Sequence, residues 1–77
     1  MKNVLEVIIK AIVTKPEDVH INEREGENNT VILEISVNKE DMGRVIGSKG
    51  QNLDKITKVM HIVASKQQRR MHIDIIE

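Results

Sequence analysis

Residues 43–50 read GRVIGSKG and stand between two segments whose apolar residues recur at helical spacing. Gly47 and Gly50 allow the backbone to turn sharply between those helices, and nothing bulky shields it from a ligand. Lys49 adds a positive charge at the tip, and the amides that begin the following helix favour an anion in the same region. The sequence therefore predicts a loop that approaches phosphate groups, with a phosphodiester backbone as its natural occupant.

The side chains around this loop are further candidates for nucleic-acid contacts. Ile46, just before the loop, is expected to line a narrow apolar groove in which bases lie edge-on. Its expected partners in the groove wall are Leu53, Ile56 and either Ile32 or Ile35. The candidate contacts to phosphates or bases are Arg44, Gln51, Lys55 and Lys58. The last three are spaced to share one face of a helix.

The distribution of charge favours an anionic partner for the second half of the chain. Twelve basic side chains balance twelve acidic ones overall. Residues 1–41 carry five basic and nine acidic groups, a balance of −4, whereas residues 42–77 carry seven and three, a balance of +4. The absence of Phe, Tyr and Trp excludes the stacking platforms of RRM and many OB-fold proteins. A nucleic-acid site in this chain must work without aromatic stacking.

The length and composition predict one small domain, spanning residues 1–77. Without cysteine, the chain cannot form a disulfide scaffold or a Cys-ligated metal site. The longest nearly apolar run, residues 4–13, is too short to cross a bilayer, and nothing after Met1 resembles a signal peptide. We therefore expect a cytoplasmic protein.

The apolar periodicity predicts six elements in the order αββααβ. Helices are expected near residues 3–14 and 38–46 and over about four turns after the loop, and strands over residues 19–25, 30–37 and 69–76. Asn3 and Asn38 are the expected N-caps of the first two helices. The apolar face of the first helix is expected to comprise Val4, Leu5, Ile8, Ile12 and Val13. The prediction is an α+β domain in which three helices pack on a three-stranded sheet.

Residues 45–50 resemble the GxxG signature of KH domains, whose loop clamps about four nucleotides of single-stranded nucleic acid. The motif joins two predicted helices, basic residues flank it, and the order αββααβ is that of type II KH domains. The resemblance covers essentially the whole chain. The first helix, the connection at residues 15–19 and the stretch at residues 41–47 are similar to small bacterial single-domain members of the family. The resemblance places the clamp on Gly47, Ser48, Lys49 and Gly50, and the groove wall on Ile46.

This resemblance implies non-catalytic binding of single-stranded RNA without a cofactor. It further implies an RNA chaperone or post-transcriptional regulator that associates with itself or with a larger KH-containing protein and influences cell-envelope growth and cell shape. The Ser48-Lys49 pair departs from a doubly basic loop tip, and the whole chain is neutral. We therefore expect modest, salt-sensitive affinity from one copy, which favours a second copy or a partner.

Enzymatic and metal-binding alternatives fit the residues poorly. A nucleotide-binding phosphate loop needs its two glycines one residue further apart than Gly43 and Gly47, and it follows a strand rather than a helix. No G-x-S-x-G elbow surrounds Ser48, and no acid-base partner is spaced to serve it. The three histidines lie on different predicted elements without ligand spacing: His20, His61 and His72. We expect neither catalysis nor a metal site.

A protein-interaction module is the second interpretation. In it, the outer side of the last helix forms a dimer face, expected to comprise Thr57, His61, Ile62 and Ala64. Single exposed apolar residues are common on protein surfaces. Self-association through this face is therefore predicted as an addition to RNA binding, and it is also the alternative primary role. Removing the loop cations separates the two roles, because RNA binding is then lost while dimerisation persists.

Overall fold

The predicted order of elements is confirmed by the structure, a computed structural model that describes residues 1–76. The helices are α1 (Lys2–Ile12), α2 (Met42–Ile46) and α3 (Gln51–Lys66), and the strands are β1 (His20–Glu25), β2 (Thr30–Ser36) and β3 (Arg70–Ile76). Single 3-10 turns occupy Pro16–Asp18, Lys39–Asp41 and Ser48–Gly50. The chain is an α+β domain in the order αββααβ, as the apolar periodicity predicts.

The three strands form one mixed sheet with β2 at its centre. β1 pairs with β2 antiparallel, with Ile21 opposite Ile35, and β3 pairs with β2 in parallel, with Val31 beside Met71. Parallel neighbours need a long crossover connection, because the chain must return to the same end of the sheet. α2, the turn at Ser48–Gly50 and α3 make up that crossover. The glycine loop therefore lies in the middle of the connection between two adjacent strands.

The helices cover one face of the sheet, and alternation along β2 selects that face. Val31, Leu33 and Ile35 are almost completely buried, as expected for every second residue of a central strand. The helical residues in the same core are Leu5 and Ile9 from α1, Val45 from α2, and Ile56, Met60 and Ala64 from α3. The opposite face carries polar pairs such as Asn22 beside Glu34, whose side chains are hydrogen-bonded at 2.9 Å. The sheet thus acts as a one-sided platform that holds the crossover in place.

Two expectations for α1 are wrong. The helix begins at Lys2 after Met1, and no side chain caps it, so Asn3 is not its N-cap. Val4, expected on the apolar face, is 41% exposed, whereas Ile9 is fully buried. α1 contacts both β1 and α3, so the buried stripe is rotated relative to the face expected from α1 alone.

The segment expected as one helix over residues 38–46 is divided into a 3-10 turn and the five-residue α2. The N-cap prediction for Asn38 is confirmed, since its side chain accepts a hydrogen bond from the Glu40 amide at 2.9 Å.

Within residues 1–76, no helix combines the length and the apolar character that crossing a membrane requires.

Candidate nucleic-acid interface

The loop at residues 47–50 has left-handed backbone at three of its four positions. φ is 75° at Gly47, 56° at Lys49 and 75° at Gly50. Glycine adopts this region freely, whereas a side-chain-bearing residue pays about 1–2 kcal/mol to do so. The strain at Lys49 therefore lies at the tip of the loop, and such strain is typical of functional sites.

Gly47 is required by its surroundings as well as by its backbone conformation. A Cβ atom at this position would lie 2.7 Å from Cγ of Asn52, which is too close for any real side chain. Asn52 occupies that space because its Nδ2 donates a 2.8 Å hydrogen bond to the carbonyl oxygen of Arg44. The bond ties the last turn of α2 to the first turn of α3, and it fixes the opening of the loop from behind.

The outward side of the loop remains available to a ligand. Ser48 and Lys49 are exposed, and among residues 1–76 neither side chain makes a hydrogen bond or an ion pair. No side chain caps the start of α3, so amides of its first turn keep hydrogen-bonding capacity. Gln51 is exposed at the same place. The loop thus presents a cation, a hydroxyl and free backbone donors in one small region, which suits a phosphate.

An apolar groove does border Ile46, but its walls differ from those expected. The groove has a volume of about 540 Å³ and is lined by Val37, Lys39, Met42 and Ile46. Ile35 is fully buried, and Ile56, 7% exposed, borders a different depression between α3 and α1. None of the expected wall residues Leu53, Ile56, Ile32 and Ile35 is among those that line this groove. The groove lies between the end of β2 and α2, because the chain bends back there through the 3-10 turn.

The remaining candidate side chains are all exposed but differ in their surroundings. Arg44, with a side chain 61% exposed, has its Nε atom 3.8 Å from the carboxylate of Asp41. Lys58 makes an ion pair of 3.1 Å with Asp54 one turn earlier. Lys55 borders a shallow depression between α3 and α1, which it shares with residues such as Ile12. The structure therefore places Arg44 beside the loop and Lys55 toward α1.

Asp41 is a structural residue of this region that the sequence does not single out. It is completely buried. Its carboxylate accepts hydrogen bonds from the amide and hydroxyl of Thr14, at 3.0 and 2.8 Å, and from the amide of Lys15, at 3.0 Å. These bonds, with a smaller contribution from Arg44, hold the pKa of Asp41 below its ordinary value despite burial. Asp41 thereby joins the end of α1 to the start of α2.

Neither Asp41 nor Asn52 could be identified from local sequence. Thr14 and Lys15 lie 27 and 26 residues from Asp41, and the Asn52 amide bonds across the loop to a carbonyl group eight residues earlier. An aspartate at the start of a helix and an asparagine after a glycine loop are ordinary surface residues in most sequences. Their roles become visible only when the two segments are brought together.

Comparison with known proteins agrees with this geometry. The family profile described as "KhpA/KhpB, KH domain" matches residues 2–75. A protein named RNA-binding protein KhpA from Clostridium perfringens is 45% identical over 76 residues, which cover 99% of this chain and 100% of that protein. Proteins of the same name from Halalkalibacterium halodurans and Chlamydia trachomatis are 38% and 39% identical over 77 residues, covering 100% of this chain and 100% and 97% of those proteins.

Solved structures show the same fold at low sequence identity. A structure of Era in complex with MgGDPNP and nucleotides 1506–1542 of 16S ribosomal RNA superimposes with a TM-score of 0.65 and 19% identity. The match covers 96% of this chain and 28% of the Era chain. Era from Aquifex aeolicus gives a TM-score of 0.63 at 18% identity, with the same coverage. The fold is therefore the type II KH fold, and the chain belongs to the KhpA/KhpB family of KH domains.

Proposed function

We propose that this chain is a single KH domain, residues 1–77, that binds single-stranded RNA without catalysis and without a cofactor. The observation that carries the proposal is the loop at residues 47–50, which is held open from behind by Asn52 and leaves Ser48 and Lys49 exposed. KH domains clamp about four nucleotides with such a loop. The name RNA-binding protein that the relatives carry supports the same activity.

Phosphates and bases are held by different parts of the interface. The loop amides and the Lys49 ammonium hold the phosphates, because they offer donors and positive charge without bulk. Bases lie against Ile46 and the neighbouring groove wall of Val37 and Met42. Additional contacts are proposed for Arg44, Gln51, Lys55 and Lys58. Arg44 is the best placed of these, since it lies in α2, three residues before the loop.

The electrostatics of the domain make this binding modest and sensitive to salt. The chain has no net charge, and only one cation stands at the loop tip. Affinity gained by releasing counterions from a nucleic acid grows with the number of phosphates contacted, so few contacts give weak binding. A second binding surface supplied by a second copy or by a partner raises the effective affinity without new contacts in this chain.

The family suggests how the domain operates. We propose a cytoplasmic RNA chaperone or post-transcriptional regulator that acts as a homodimer or with the larger KH-containing protein KhpB, also called Jag, with effects on cell-envelope growth and cell shape. What supports a partner on the structural side is apolar surface on α3, where Val59 is 46% and Ile62 is 60% exposed.

The same surface supports the alternative primary role, a dimerisation module with weak intrinsic affinity for nucleic acid. The dimer face expected from the sequence is wrong in one member, because Ala64 is buried in the core. Thr57 is partly buried and donates a hydrogen bond from its hydroxyl to the carbonyl oxygen of Leu53 at 2.8 Å. Ile62 and His61 remain exposed. Val59 completes the apolar part of this face.

The test is a titration of fluorescently labelled single-stranded RNA at two salt concentrations, with the mass of the protein in solution measured in parallel. The variant Ser48→Asp/Lys49→Asp is expected to weaken binding by more than about tenfold, because the new carboxylates repel phosphates. Its thermal unfolding should match that of the unsubstituted chain, since both positions are exposed.

The matched control is Lys2→Asp/Asn3→Asp. It makes the same change in charge on exposed residues at the start of α1, next to β1 rather than next to the loop. RNA binding should survive in this control. Equal affinities of the loop variant and the control would disprove the loop assignment. A stable dimer that binds no RNA even without substitutions would favour the dimerisation module.

A further inference from the structure

The apolar groove beside Ile46 contains one charged side chain that the proposed binding mode does not use. The residues that line the groove are Val37, Lys39, Met42 and Ile46. Valine, methionine and isoleucine pack against a base but offer it no hydrogen-bond donor. Lys39 is therefore the lining residue whose side chain can donate a hydrogen bond to the edge of a base.

The position of Lys39 is fixed by the short turn that joins β2 to α2. Lys39 is the first residue of this 3-10 turn, and its carbonyl oxygen accepts a hydrogen bond from the Met42 amide. The side chain of the preceding residue, Asn38, accepts from the Glu40 amide at 2.9 Å and donates from Nδ2 to Asp18 at 2.8 Å. The backbone is thus held on both sides of Lys39, so the turn keeps its side chain at the groove.

The acidic residues that follow Lys39 are bound to other partners. A carboxylate oxygen of Glu40 lies 2.7 Å from Nζ of Lys15. Asp41 is buried, and its carboxylate is hydrogen-bonded to the end of α1. Within residues 1–76, the exposed side chain of Lys39 makes no ion pair and no hydrogen bond. Its ammonium group therefore keeps three donors for a ligand.

An ammonium group distinguishes the four RNA bases because it can donate hydrogen bonds but cannot accept them. Guanine and uracil carry a carbonyl oxygen at the ring position where adenine and cytosine carry their exocyclic amino group. The carbonyl oxygen accepts from an ammonium group, whereas the amino group is itself a donor and leaves the ammonium group unpaired. Among residues 1–76, no side chain that lines the groove ends in a carboxylate, amide or hydroxyl that could accept from an amino group instead. The lining therefore favours carbonyl-bearing bases.

We propose that Lys39 makes the groove selective for guanine or uracil at the nucleotide whose base lies against Met42 and Ile46. This inference rests on the proposed function, because the loop at residues 47–50 must hold the strand before a base can occupy the groove. The contacts of the loop are to phosphates, so they supply affinity that does not depend on sequence. Lys39 supplies the discrimination between bases.

The first experiment compares labelled oligouridine and oligocytidine of about seven nucleotides at neutral pH, a length that covers the four or so nucleotides of a KH site. The unsubstituted chain is expected to bind oligouridine about three- to tenfold more tightly. Lys39→Met removes the donors and keeps an unbranched apolar side chain, so it should weaken binding of oligouridine alone and abolish the preference. Lys39→Arg keeps donors at this position and should retain the preference. Thermal unfolding of Lys39→Met should match that of the unsubstituted chain, because the exposed side chain makes no bond within residues 1–76.

A second experiment changes one functional group in one nucleotide. In an oligoadenosine of the same length, inosine replaces adenosine at each position in turn, which exchanges the exocyclic amino group for a carbonyl group. At the position whose base lies in the groove, the replacement should strengthen binding to the unsubstituted chain. That gain should disappear in Lys39→Met. The absence of a gain at every position would overturn the proposal.

The matched control is Lys2→Met, which removes one exposed cation at the start of α1, next to β1 rather than at the groove. It should leave the preference for oligouridine unchanged. Equal binding of the two oligonucleotides by the unsubstituted chain, or an unchanged preference in Lys39→Met, would overturn base selection by Lys39 and leave the proposed function intact. Binding of neither oligonucleotide by the unsubstituted chain would contradict the proposed function itself, and this inference with it.

Discussion

The two ends of α3 both rely on left-handed backbone, but they use side chains in opposite ways. At the loop end, Gly47, Lys49 and Gly50 have positive φ, and the exposed side chains of residues 48 and 49 make no bonds within residues 1–76. At the distal end, Asn29 and Gln68 have positive φ, and an amide and a guanidinium knit the hairpin to the start of β3. One end spends its polar groups on structure, while the other keeps them for a ligand.

This difference shows how a small domain can keep an exposed loop with unpaired polar groups and still remain stably folded. The support for the loop is placed behind it, in the bond from Asn52 to the Arg44 carbonyl group and in the buried carboxylate of Asp41. Neither of these groups competes for the ligand. At the distal end, by contrast, the Asn29 amide and the Arg69 guanidinium are themselves the groups that bond the hairpin to the start of β3. Substitutions at the two ends should therefore separate stability from RNA binding.

The largest effect is expected at Gly47, where the loop end depends on both conformation and space. Gly47→Ala should destabilise the domain by about 2–4 kcal/mol, because a left-handed alanine and a clash with Asn52 act together. Chemical denaturation measures the loss. Gly43→Ala in α2 is the control: a Cβ there meets no atom within 4 Å, and alanine favours helix, so stability should rise by about 0.5–1 kcal/mol. A loss of stability in both variants would contradict this account.

The next effect concerns the support behind the loop and depends on pH. The pKa of Asp41 is lower in the folded domain than its ordinary value of 3.8, because the Thr14 amide, the Thr14 hydroxyl and the Lys15 amide bond to the carboxylate. The unfolded chain therefore takes up the proton first, so this stabilisation is present above pH 3.8 and is lost as the pH falls below it. Asp41→Asn should flatten the decrease in unfolding free energy on acidification. An unchanged acid profile in the variant would show that Asp41 does not carry it.

A smaller effect on stability is expected from the side-chain hydrogen bonds of Asn29 at the distal end of α3. Asn29→Ala removes two side-chain hydrogen bonds and puts alanine at a φ of 59°, so it should cost about 1–2 kcal/mol. Asn29→Gly keeps the backbone conformation and should recover part of that loss. Both variants should bind a short RNA as tightly as the unsubstituted chain does. Weaker short-RNA binding in a folded Asn29 variant would mean that the two ends are coupled.

The substitution with the smallest expected effect on stability is the one that separates stability from RNA binding most directly. Lys49→Gly relieves the left-handed strain at the loop tip, offset by the greater freedom of glycine in the unfolded chain, so the domain should gain about 0.5 kcal/mol. RNA affinity should fall, because the only cation of the loop tip is removed. A variant that is both less stable and equally active would reverse the assignment of strain and function at this residue.

The fold could be predicted because it follows from patterns local to each element. The alternation of Val31, Leu33 and Ile35 identifies a strand and its buried face, and glycine at 47 and 50 marks the break between two helices. The site could be predicted less fully. Ile46 borders a groove as expected, but its partners come from Val37 and Met42, because the 3-10 turn folds α2 back on the end of β2. Asp41 and Asn52 escaped prediction because their partners are distant along the chain or across a loop.

The parallel pairing of β2 with β3 also has a consequence for the order of folding events. Thr30 pairs with Arg70, 40 residues later, and the residues between them belong to the rest of β2 or to the crossover that carries the loop. Closing so long a connection is slow compared with forming α3 itself. The conformational entropy of the connection is lost before the strands pair and their hydrogen bonds compensate for it. We therefore expect β3 to pair with β2 late in folding, and we expect the loop to become a competent clamp only in that step.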